Sequence, residues 1–177
     1  MSRLLQIAQL GHSVLRERAA PVSDVQDASI QELIDDMMAT VSEAQGVGLA
    51  APQVYQSKRI IIIASQPNAR YPDAPQMQPT AMLNPKILSL SDKIEKDWEG
   101  CLSVPGIRGL VPRHHSLKLK YLTRQGKTAT EEFSGFVARI VQHEIDHLEG
   151  IFFLDRMESN KEIITEKEYL RVLKEGQ

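Results

Sequence analysis

The chain has 177 residues, a formal net charge of −2 and 42% apolar residues. This length fits one domain, and we expect residues 1–177 to fold as a single unit. The balance of charge lacks the basic excess of nucleic-acid-binding proteins, so no direct nucleic-acid partner is predicted. No apolar run reaches the ~20 residues that a bilayer span requires, and Met1 to Leu10 do not resemble a secretory signal. The single cysteine fits a reducing compartment, so we predict a cytoplasmic protein without membrane association.

The N-terminal part predicts an irregular lead-in followed by one helix. Residues 1–25 contain glycine and proline without a regular apolar period. Asp27 is typical of an N-cap for a helix that begins at Ala28, where apolar residues then recur at three- and four-residue spacing. Gly46 is placed to end this helix, because glycine tolerates the left-handed conformation beyond a helix terminus.

The middle of the chain predicts strands. Residues 60–63 are four consecutive isoleucines, which is typical of a strand buried on both faces. Four segments in all have a β-branched or alternating pattern: 60–63, 81–90, 117–121 and 128–133. The proline-rich residues 65–80 predict a surface loop, and the turn at 124–127 predicts that the last two strands form a hairpin.

The C-terminal part predicts two further helices. A second helix starts at Ser134-Gly135 and ends at Gly150, followed by a short buried segment at 151–153. Residues 160–175 predict a third, charged helix that packs its apolar stripe on its own domain. The expected fold class is α+β, with mainly antiparallel sheets packed around the second helix and with an N-terminal and a C-terminal helix.

The second helix carries a metal-binding pattern. His143 and His147 are four residues apart, so a helix places both imidazoles on one face, where they can bind one ion. Glu144 then projects near the open coordination position and can take a proton from water. Cys101, between Gly100 and Leu102, is a third ligand candidate, since a thiolate and two imidazoles suit zinc or iron and leave a fourth position open.

Other interpretations of these residues remain open at this point. The histidines can occur at this spacing by chance, and a lone cysteine is often a small buried hydrophobe. A structural metal site in a binding protein is a further alternative, although such sites normally have four protein ligands. We do not expect His12, His114 or His115 to bind the ion, since none has a partner at helical spacing.

Three segments together resemble the peptide deformylase family. They are Gly46-Val47-Gly48-Leu49-Ala50-Ala51-Pro52-Gln53, Glu99-Gly100-Cys101-Leu102-Ser103 and Gln142-His143-Glu144-Ile145-Asp146-His147. Their order and separation are similar to those of the family from about Ile7 to Asp155. Two departures stand out: Gly11-His12-Ser13, where proline is frequent in the family, and Arg139, where some members have an aliphatic residue. We interpret Arg139 as an exposed helix arginine or as a residue facing the pocket.

The resemblance implies an enzyme that removes the formyl group from the N-terminal formyl-methionine of nascent polypeptides and releases formate. It implies Cys101, His143 and His147 as ligands of one divalent metal, Fe²⁺ in the cell, with Zn²⁺, Ni²⁺ or Co²⁺ able to substitute. Glu144 corresponds to the catalytic glutamate. The Gln53 side chain and the Leu102 backbone N–H are the implied donors to the oxyanion. The partner is an N-formylmethionyl peptide, and the ribosome is a further candidate partner for the third helix.

The remaining site candidates concern the substrate. Glycine at positions 46 and 48 lets the backbone approach an extended peptide, which can add as a strand through main-chain hydrogen bonds. The residues expected to bind substrate are Val47, Gly48, Glu99, Gly100, Arg108, Phe136 and Ile140. Arg108 is the candidate for a substrate carbonyl, with an ordinary surface charge as the alternative, and the resemblance favours the functional role. The alternative function is a metal-dependent endopeptidase, which the paired histidines and glutamate alone would suggest.

Overall fold

The computed structural model describes residues 2–175. Its strands are β1 (Gly48–Ala50), β2 (Ile60–Ile63), β3 (Thr80–Leu90), β4 (Ile94–Cys101), β5 (Val104–His114), β6 (Ser116–Leu122), β7 (Thr128–Ser134) and β8 (Ile163–Thr165). Its α-helices are α1 (Ala28–Glu43), α2 (Gly135–Leu148), α3 (Phe153–Arg156) and α4 (Glu166–Glu175). Within this range no helix combines the length and the apolar character needed to cross a bilayer.

The strands form two antiparallel sheets around α2. One sheet has the order β1-β2-β3-β6-β7, and the other has the order β4-β5-β8. Each strand pair within these sheets is antiparallel. The predicted fold class is therefore confirmed, with α1 near the N-terminus, α2 in the centre and α4 near the C-terminus.

Strand β2 separates two apolar cores. Ile60 and Ile62 pack in the core that contains the buried face of α1, whereas Ile61 and Ile63 pack in the core that contains α2. All four side chains are fully buried. This alternation follows from the two-residue period of a strand. Because both faces of β2 contact an apolar core, every residue of the strand is apolar. The two helices consequently cover opposite faces of the five-stranded sheet.

The start of α1 is as predicted, but its end is not. Asp27 caps the helix, since its Oδ1 accepts a hydrogen bond of 2.8 Å from the Ser29 amide. The helix ends at Glu43, and the left-handed residue is Gln45, with φ of 50°, rather than Gly46. The Gly46 amide instead donates to the Val41 carbonyl at 2.8 Å. A Cβ at Gly46 would lie 2.9 Å from Val41 Cγ2, so close packing explains this glycine.

The predicted helix over 160–175 was wrong in its first third. Residues 160–162 form a 3₁₀ turn, and β8 follows before α4 begins at Glu166. Ile164 lies opposite Arg108 in the pairing of β8 with β5. The free edge of β5 supplies backbone partners that a local apolar period does not indicate, so strand pairing overrode the helical pattern. Ile163 is 40% exposed instead of facing inward from a helix.

The hairpin of β4 and β5 is the longest element that the sequence pattern did not predict. Its strands contain charged residues, glycines and two prolines, which weaken the usual strand signal. The register of the two strands shifts between Gly100 and Cys101, which is the irregularity of a β-bulge. Such a bulge redirects side chains at the end of a strand, and here that end is Cys101.

Gly150 should be more sensitive to substitution than another glycine of similar φ. It has φ of +72°, and a Cβ there would lie 2.5 Å from the Arg16 carbonyl oxygen. Gly126 has φ of +78°, but its Cβ would meet only Gln26 Nε2 at 3.7 Å. We expect Gly126→Ala to lower the free energy of unfolding by ~1–2 kcal/mol, the cost of the left-handed conformation. Gly150→Ala should lose a further ~1–3 kcal/mol by overpacking.

Urea denaturation of both variants measures this difference. Equal losses at the two positions would show that the contact with the backbone of Arg16 contributes nothing to the requirement for glycine.

Candidate metal centre and active site

Three candidate ligand atoms from two distant segments, β4 and α2, meet at one place. Cys101, at the end of β4, places Sγ 3.2 Å from His147 Nε2, and His147 Nε2 lies 3.2 Å from His143 Nε2. One ligand atom from each of the three residues lies within 4.8 Å of the other two. Tetrahedral ligands at ~2.0–2.3 Å from zinc are ~3.3–3.6 Å apart, so this spacing fits one ion.

The protonation of the two imidazoles reflects their surroundings. Burial lowers the pKa of His147, and the charges of His143 and Arg113 lower it further, which keeps this ring neutral, as a ligand must be. For His143, hydrogen bonds with Cys101 and Glu99 outweigh burial and raise the pKa. An ion held by Cys101 and the two rings would replace that proton, so binding of a metal would release a proton here.

Glu99 orients His143. Its Oε2 lies 2.9 Å from His143 Nδ1, which leaves Nε2 directed toward Cys101. Glu99 also accepts two hydrogen bonds from Arg113, at 2.9 and 3.0 Å, and one of 2.9 Å from Arg139. Although burial alone would raise the pKa of Glu99, the Arg113 charge and the His143 hydrogen bond hold it well below its usual range. Glu99 is therefore a buried carboxylate that fixes the orientation of a ligand ring.

Arg139 belongs to this buried network and is not an exposed helix arginine. It is 7% exposed and lies one turn before His143 on α2. Besides Glu99, its guanidinium donates to the carbonyl oxygens of Val111 at 2.8 Å and Glu95 at 2.7 Å. These bonds join α2 to both strands of the β4–β5 hairpin. The same hairpin carries Cys101, so Arg139 joins the elements that supply the ligands.

Glu144 lies in the same buried region, and one of its carboxylate oxygens, Oε2, makes no hydrogen bond among the described residues. The residue is 4% exposed. Burial raises the pKa of Glu144 to about 7. A Cβ at Gly48 would overlap its Oε1, so glycine at this position of β1 makes room for the carboxylate. A carboxyl group with these properties is suited to take and return a proton near neutral pH.

The two predicted oxyanion donors lie next to the cysteine. Gln53 is held by its Oε1, which accepts from the Ala50 amide at 2.8 Å, and its Nε2 donates to Ser103 Oγ at 3.2 Å. The same Nε2 is 3.5 Å from Cys101 Sγ. Leu102 follows the cysteine directly, and its side chain packs against the core beneath α1. Both residues line the cavity that contains the ligands.

One cavity brings together the residues that the sequence predicts for substrate binding. Its lining includes Cys101, His143 and Glu144 at the metal centre. All seven predicted substrate residues also line it: Val47, Gly48, Glu99, Gly100, Arg108, Phe136 and Ile140. His147 is 1% exposed and lies behind this surface. The three poor ligand candidates His12, His114 and His115 are bonded elsewhere, to Val14, Ser91 and Glu95.

Arg108 is more enclosed than its position after the cysteine segment suggested. Its side chain is 2% exposed, and its guanidinium lies over the rings of Tyr71 and Tyr169, at 4.9 and 4.5 Å from the ring centroids. Its Nη1 donates to the Tyr71 hydroxyl at 2.7 Å, whereas its buried Nε has no partner. An N–H group in this state can donate to a carbonyl oxygen that enters the cavity.

Five further residues line the cavity and were not predicted: Arg70, Tyr71, Trp98, Ile107 and Glu166. Arg70 and Tyr71 come from the proline-rich loop, and Glu166 comes from the first turn of α4. None belongs to a motif or an apolar period, so the local sequence carried no signal for them. Tertiary packing alone brings them to the cavity.

Comparison with known proteins supports the family resemblance that the three sequence segments indicate. A family profile described as polypeptide deformylase matches residues 4–162. Peptide deformylase 2 of Nostoc sp. is 58% identical over 166 residues, which cover 94% of this chain and 93% of that protein. Among solved structures, a class I type b peptide deformylase from Acinetobacter baumannii with bound Met-Ala-Ser is similar, with a TM-score of 0.87 and 52% identity. That match covers 89% of this chain and 100% of the other.

Antiparallel sheets around a helix that supplies two histidines and a glutamate, opposite a cysteine on a hairpin, define a site of the metallohydrolase class. The extent of the sequence and structural similarity is specific for one group within that class. The chain belongs to the peptide deformylase family. The predicted enzyme class is thereby confirmed, and the endopeptidase alternative is not supported.

Removal of Arg139 should reveal its structural role. We expect Arg139→Met to lower the free energy of unfolding by ~3–5 kcal/mol, as for other buried ion pairs that lose one partner. Arg171→Met is the matched control, because Arg171 is 61% exposed on α4, and it should change stability by no more than about 0.5 kcal/mol. Denaturant unfolding measures both, and a loss at Arg139 as small as that of the control would contradict the role of the network.

Proposed function

We propose a division of roles among the site residues of this enzyme, which removes the formyl group from the N-terminal formyl-methionine of nascent polypeptides. Cys101, His143 and His147 hold one divalent metal ion, and Glu144 transfers the proton. The observation that carries the proposal is the convergence of one sulfur and two Nε2 atoms beside a buried carboxylate whose second oxygen has no partner.

The donor set fits a metal ion of intermediate softness. A thiolate and two imidazoles suit ferrous iron and zinc, and His143 is oriented by a carboxylate, as metal-bound histidines commonly are. We propose Fe²⁺ as the ion in the cell, with Zn²⁺, Ni²⁺ or Co²⁺ able to substitute. When bound, the ion supplies a Lewis acid that acidifies water and polarises a carbonyl.

Glu144 supplies the proton transfer that hydrolysis of a formamide requires. The carboxylate accepts a proton from the water that attacks the formyl carbon. It then delivers this proton to the departing amine, which would otherwise be a poor leaving group. The buried position of Glu144 next to His143 supports this role, because the proton remains in a region from which bulk water is largely excluded.

Gln53 and Leu102 are proposed to stabilise the oxyanion that forms as the formyl carbon becomes tetrahedral. The Gln53 amide is preorganised, since the Ala50 backbone holds its oxygen and directs Nε2 toward Cys101 and Ser103. The Leu102 backbone N–H is the second donor. Groups fixed in this way need little reorganisation during the reaction, and loss of one typically raises the barrier by ~2.7–4 kcal/mol.

The cavity wall is proposed to recognise a peptide by its backbone and its first side chain. Val47, Phe136 and Ile140 offer an apolar surface for methionine, and Gly48 permits close backbone approach. Glu99 and Gly100 form the opposite rim, where the Glu99 carboxylate is occupied by Arg113 and His143. The bound Met-Ala-Ser in the relative from Acinetobacter baumannii supports a peptide as the ligand. Backbone recognition suits an enzyme that acts on many sequences.

Arg108 is proposed to contact the substrate backbone. Arg108 lines the cavity, its buried Nε has no hydrogen-bond partner among the described residues, and the two tyrosine rings hold the guanidinium in place. A carbonyl oxygen of the peptide would satisfy that N–H. This arrangement supports a contact that is independent of the side chains of the substrate.

The setting of the enzyme is also a proposal. We infer that residues 1–177 act as one catalytic domain and that the reaction takes place in the cytoplasm, where nascent chains appear. The ribosome is the proposed neighbour during the reaction. The buried Tyr169 indicates that α4 packs on its own chain through this residue, which leaves only the opposite face of α4 available for such a neighbour.

A comparison of two substrates tests the function. Protein purified without oxygen and analysed for metal should release formate from formyl-Met-Ala and leave casein intact. Formate is measured by an enzyme-coupled assay and casein by gel electrophoresis. Cleavage of casein without formate release would replace this function by peptidase activity.

Two variants separate metal binding from proton transfer. Glu144→Ala should keep the metal and lose nearly all turnover, since general acid–base catalysis contributes ~10²–10⁴-fold. Cys101→Ala should bind the metal much more weakly, because one of three ligands is lost. Metal content and formate release are measured for both. Turnover near the wild-type rate in Glu144→Ala, or full metal occupancy in Cys101→Ala, would refute the corresponding role.

A further inference from the structure

The C-terminal strap, defined as β8 and α4 (residues 163–175), contributes to the cavity although it lies outside the family profile. The profile match ends at residue 162. The strap nevertheless places Glu166 in the lining of the cavity that contains Cys101, His143 and Glu144. One wall of the cleft is thus built from a segment that the shared family pattern does not include.

The strap is fixed in place by contacts at both of its elements. Strand β8 pairs with β5, with Ile164 opposite Arg108. On α4, Tyr169 is 6% exposed, its hydroxyl donates to the Arg70 carbonyl at 3.0 Å, and its ring lies over the Arg108 guanidinium. Glu166 is three residues before Tyr169, on the same face of the helix. The position of its carboxylate is therefore set by the fold and not by a free chain end.

Glu166 differs from the other two acidic residues of the cavity. Glu99 is buried and bonded to Arg113, Arg139 and His143, and Glu144 lies at the metal centre. The Glu166 side chain is 30% exposed, and its Oε1 forms an ion pair with Arg108 Nη2 at 3.6 Å. Because the carboxylate is partly exposed, a group that enters the cleft from solvent can reach it.

The cationic residues of the cavity are committed to other partners. The Arg70 guanidinium donates to the carbonyl oxygens of Ala44 and Gln45, and Arg139 is bonded within the Glu99 network. The Arg108 guanidinium lies over the rings of Tyr71 and Tyr169, donates to the Tyr71 hydroxyl and pairs with Glu166. With a side chain that is 30% exposed, Glu166 is a charged group of the cleft that a substrate side chain can reach.

We propose that Glu166 is a specificity-determining residue that favours formylated peptides with a cationic side chain after the formyl-methionine. This inference rests on the proposed function, because it concerns the same cleft and the same reaction. A lysine or arginine side chain placed near Glu166 gains a partly desolvated opposite charge, whereas an acidic side chain meets a like charge. The contact lies away from the reacting atoms, so it is made equally in the bound substrate and in the transition state. It therefore acts mainly on KM.

The test compares peptides that differ only in charge. The substrates are formyl-Met-Lys-Ser, formyl-Met-Glu-Ser, formyl-Met-Ser-Lys and formyl-Met-Ser-Glu, each assayed by formate release with the metal-loaded enzyme. For each of the two residues after formyl-methionine, the ratio of kcat/KM for the lysine peptide to kcat/KM for the glutamate peptide is determined. Glu166→Gln should lower this ratio by about fivefold at one of these two residues, through a change in KM. High salt should reduce the ratio of the wild-type enzyme toward that of the variant.

Glu168→Gln is the matched control, because it removes the same charge from the same helix. Glu168 is exposed, pairs with Arg171 and does not line the cavity, so its ratio should equal that of the wild type. An unchanged ratio in Glu166→Gln would overturn the inference, as would an equal loss of activity on all four peptides, which would indicate a role in positioning Arg108.

Binding of the products Met-Lys-Ser and Met-Glu-Ser, measured by calorimetry, gives a second readout without catalysis. Glu166→Gln should reduce the preference for the lysine peptide by a similar factor. If the wild-type enzyme releases no formate from any peptide, the proposed function fails, and the calorimetric ratio still decides the role of Glu166. Thermal unfolding of the variant near the wild-type midpoint confirms that the strap remains folded.

Discussion

The structure depends on the buried carboxylate of Glu99. Removing such a charge from water costs several kcal/mol, and the cost is offset only when the partners are well placed. Here Arg113 comes from β5, and Arg139 and His143 come from α2, so the carboxylate is satisfied only when the hairpin and the helix are aligned. Cys101 is two residues further along β4. The interaction that aligns the two elements therefore also aligns the ligands that they carry.

The elements that could be predicted are those in which the spacing of the apolar residues indicates which side chains are buried. The isoleucine run of β2 and the apolar period of α1 reflect contacts that recur every two or every three to four residues. The β4–β5 hairpin could not be predicted in this way, because long-range ion pairs stabilise it, such as that of Arg113 with Asp146 at 2.6 Å. Strand β8 was predicted as helix because its partner, the edge of β5, is more than fifty residues away in the sequence.

The same distinction applies to the site. The convergence of Cys101, His143 and His147 could be anticipated, since ligand chemistry and helical spacing restrict these residues. Arg139 could not be interpreted from the sequence, because a charged residue within a helix has the same pattern whether solvent or a carboxylate forty residues away neutralises it. Glu166 had no local signal at all, since only the folding of the strap brings it to the cavity.

The cleft consequently has two ends with different physical constraints. At the inner end, buried charges, fixed rings and the close approach of Gly48 to Glu144 tolerate little change, because each group is the partner of another. At the outer end, the strap presents the partly exposed carboxylate of Glu166. Replacing Glu166 by an uncharged residue would leave the bonds of the inner end intact. An enzyme that must act on many chains can bind their shared backbone and methionine at the inner end. In our proposal, discrimination between the side chains that follow takes place at the outer end, away from the groups that carry out the chemistry.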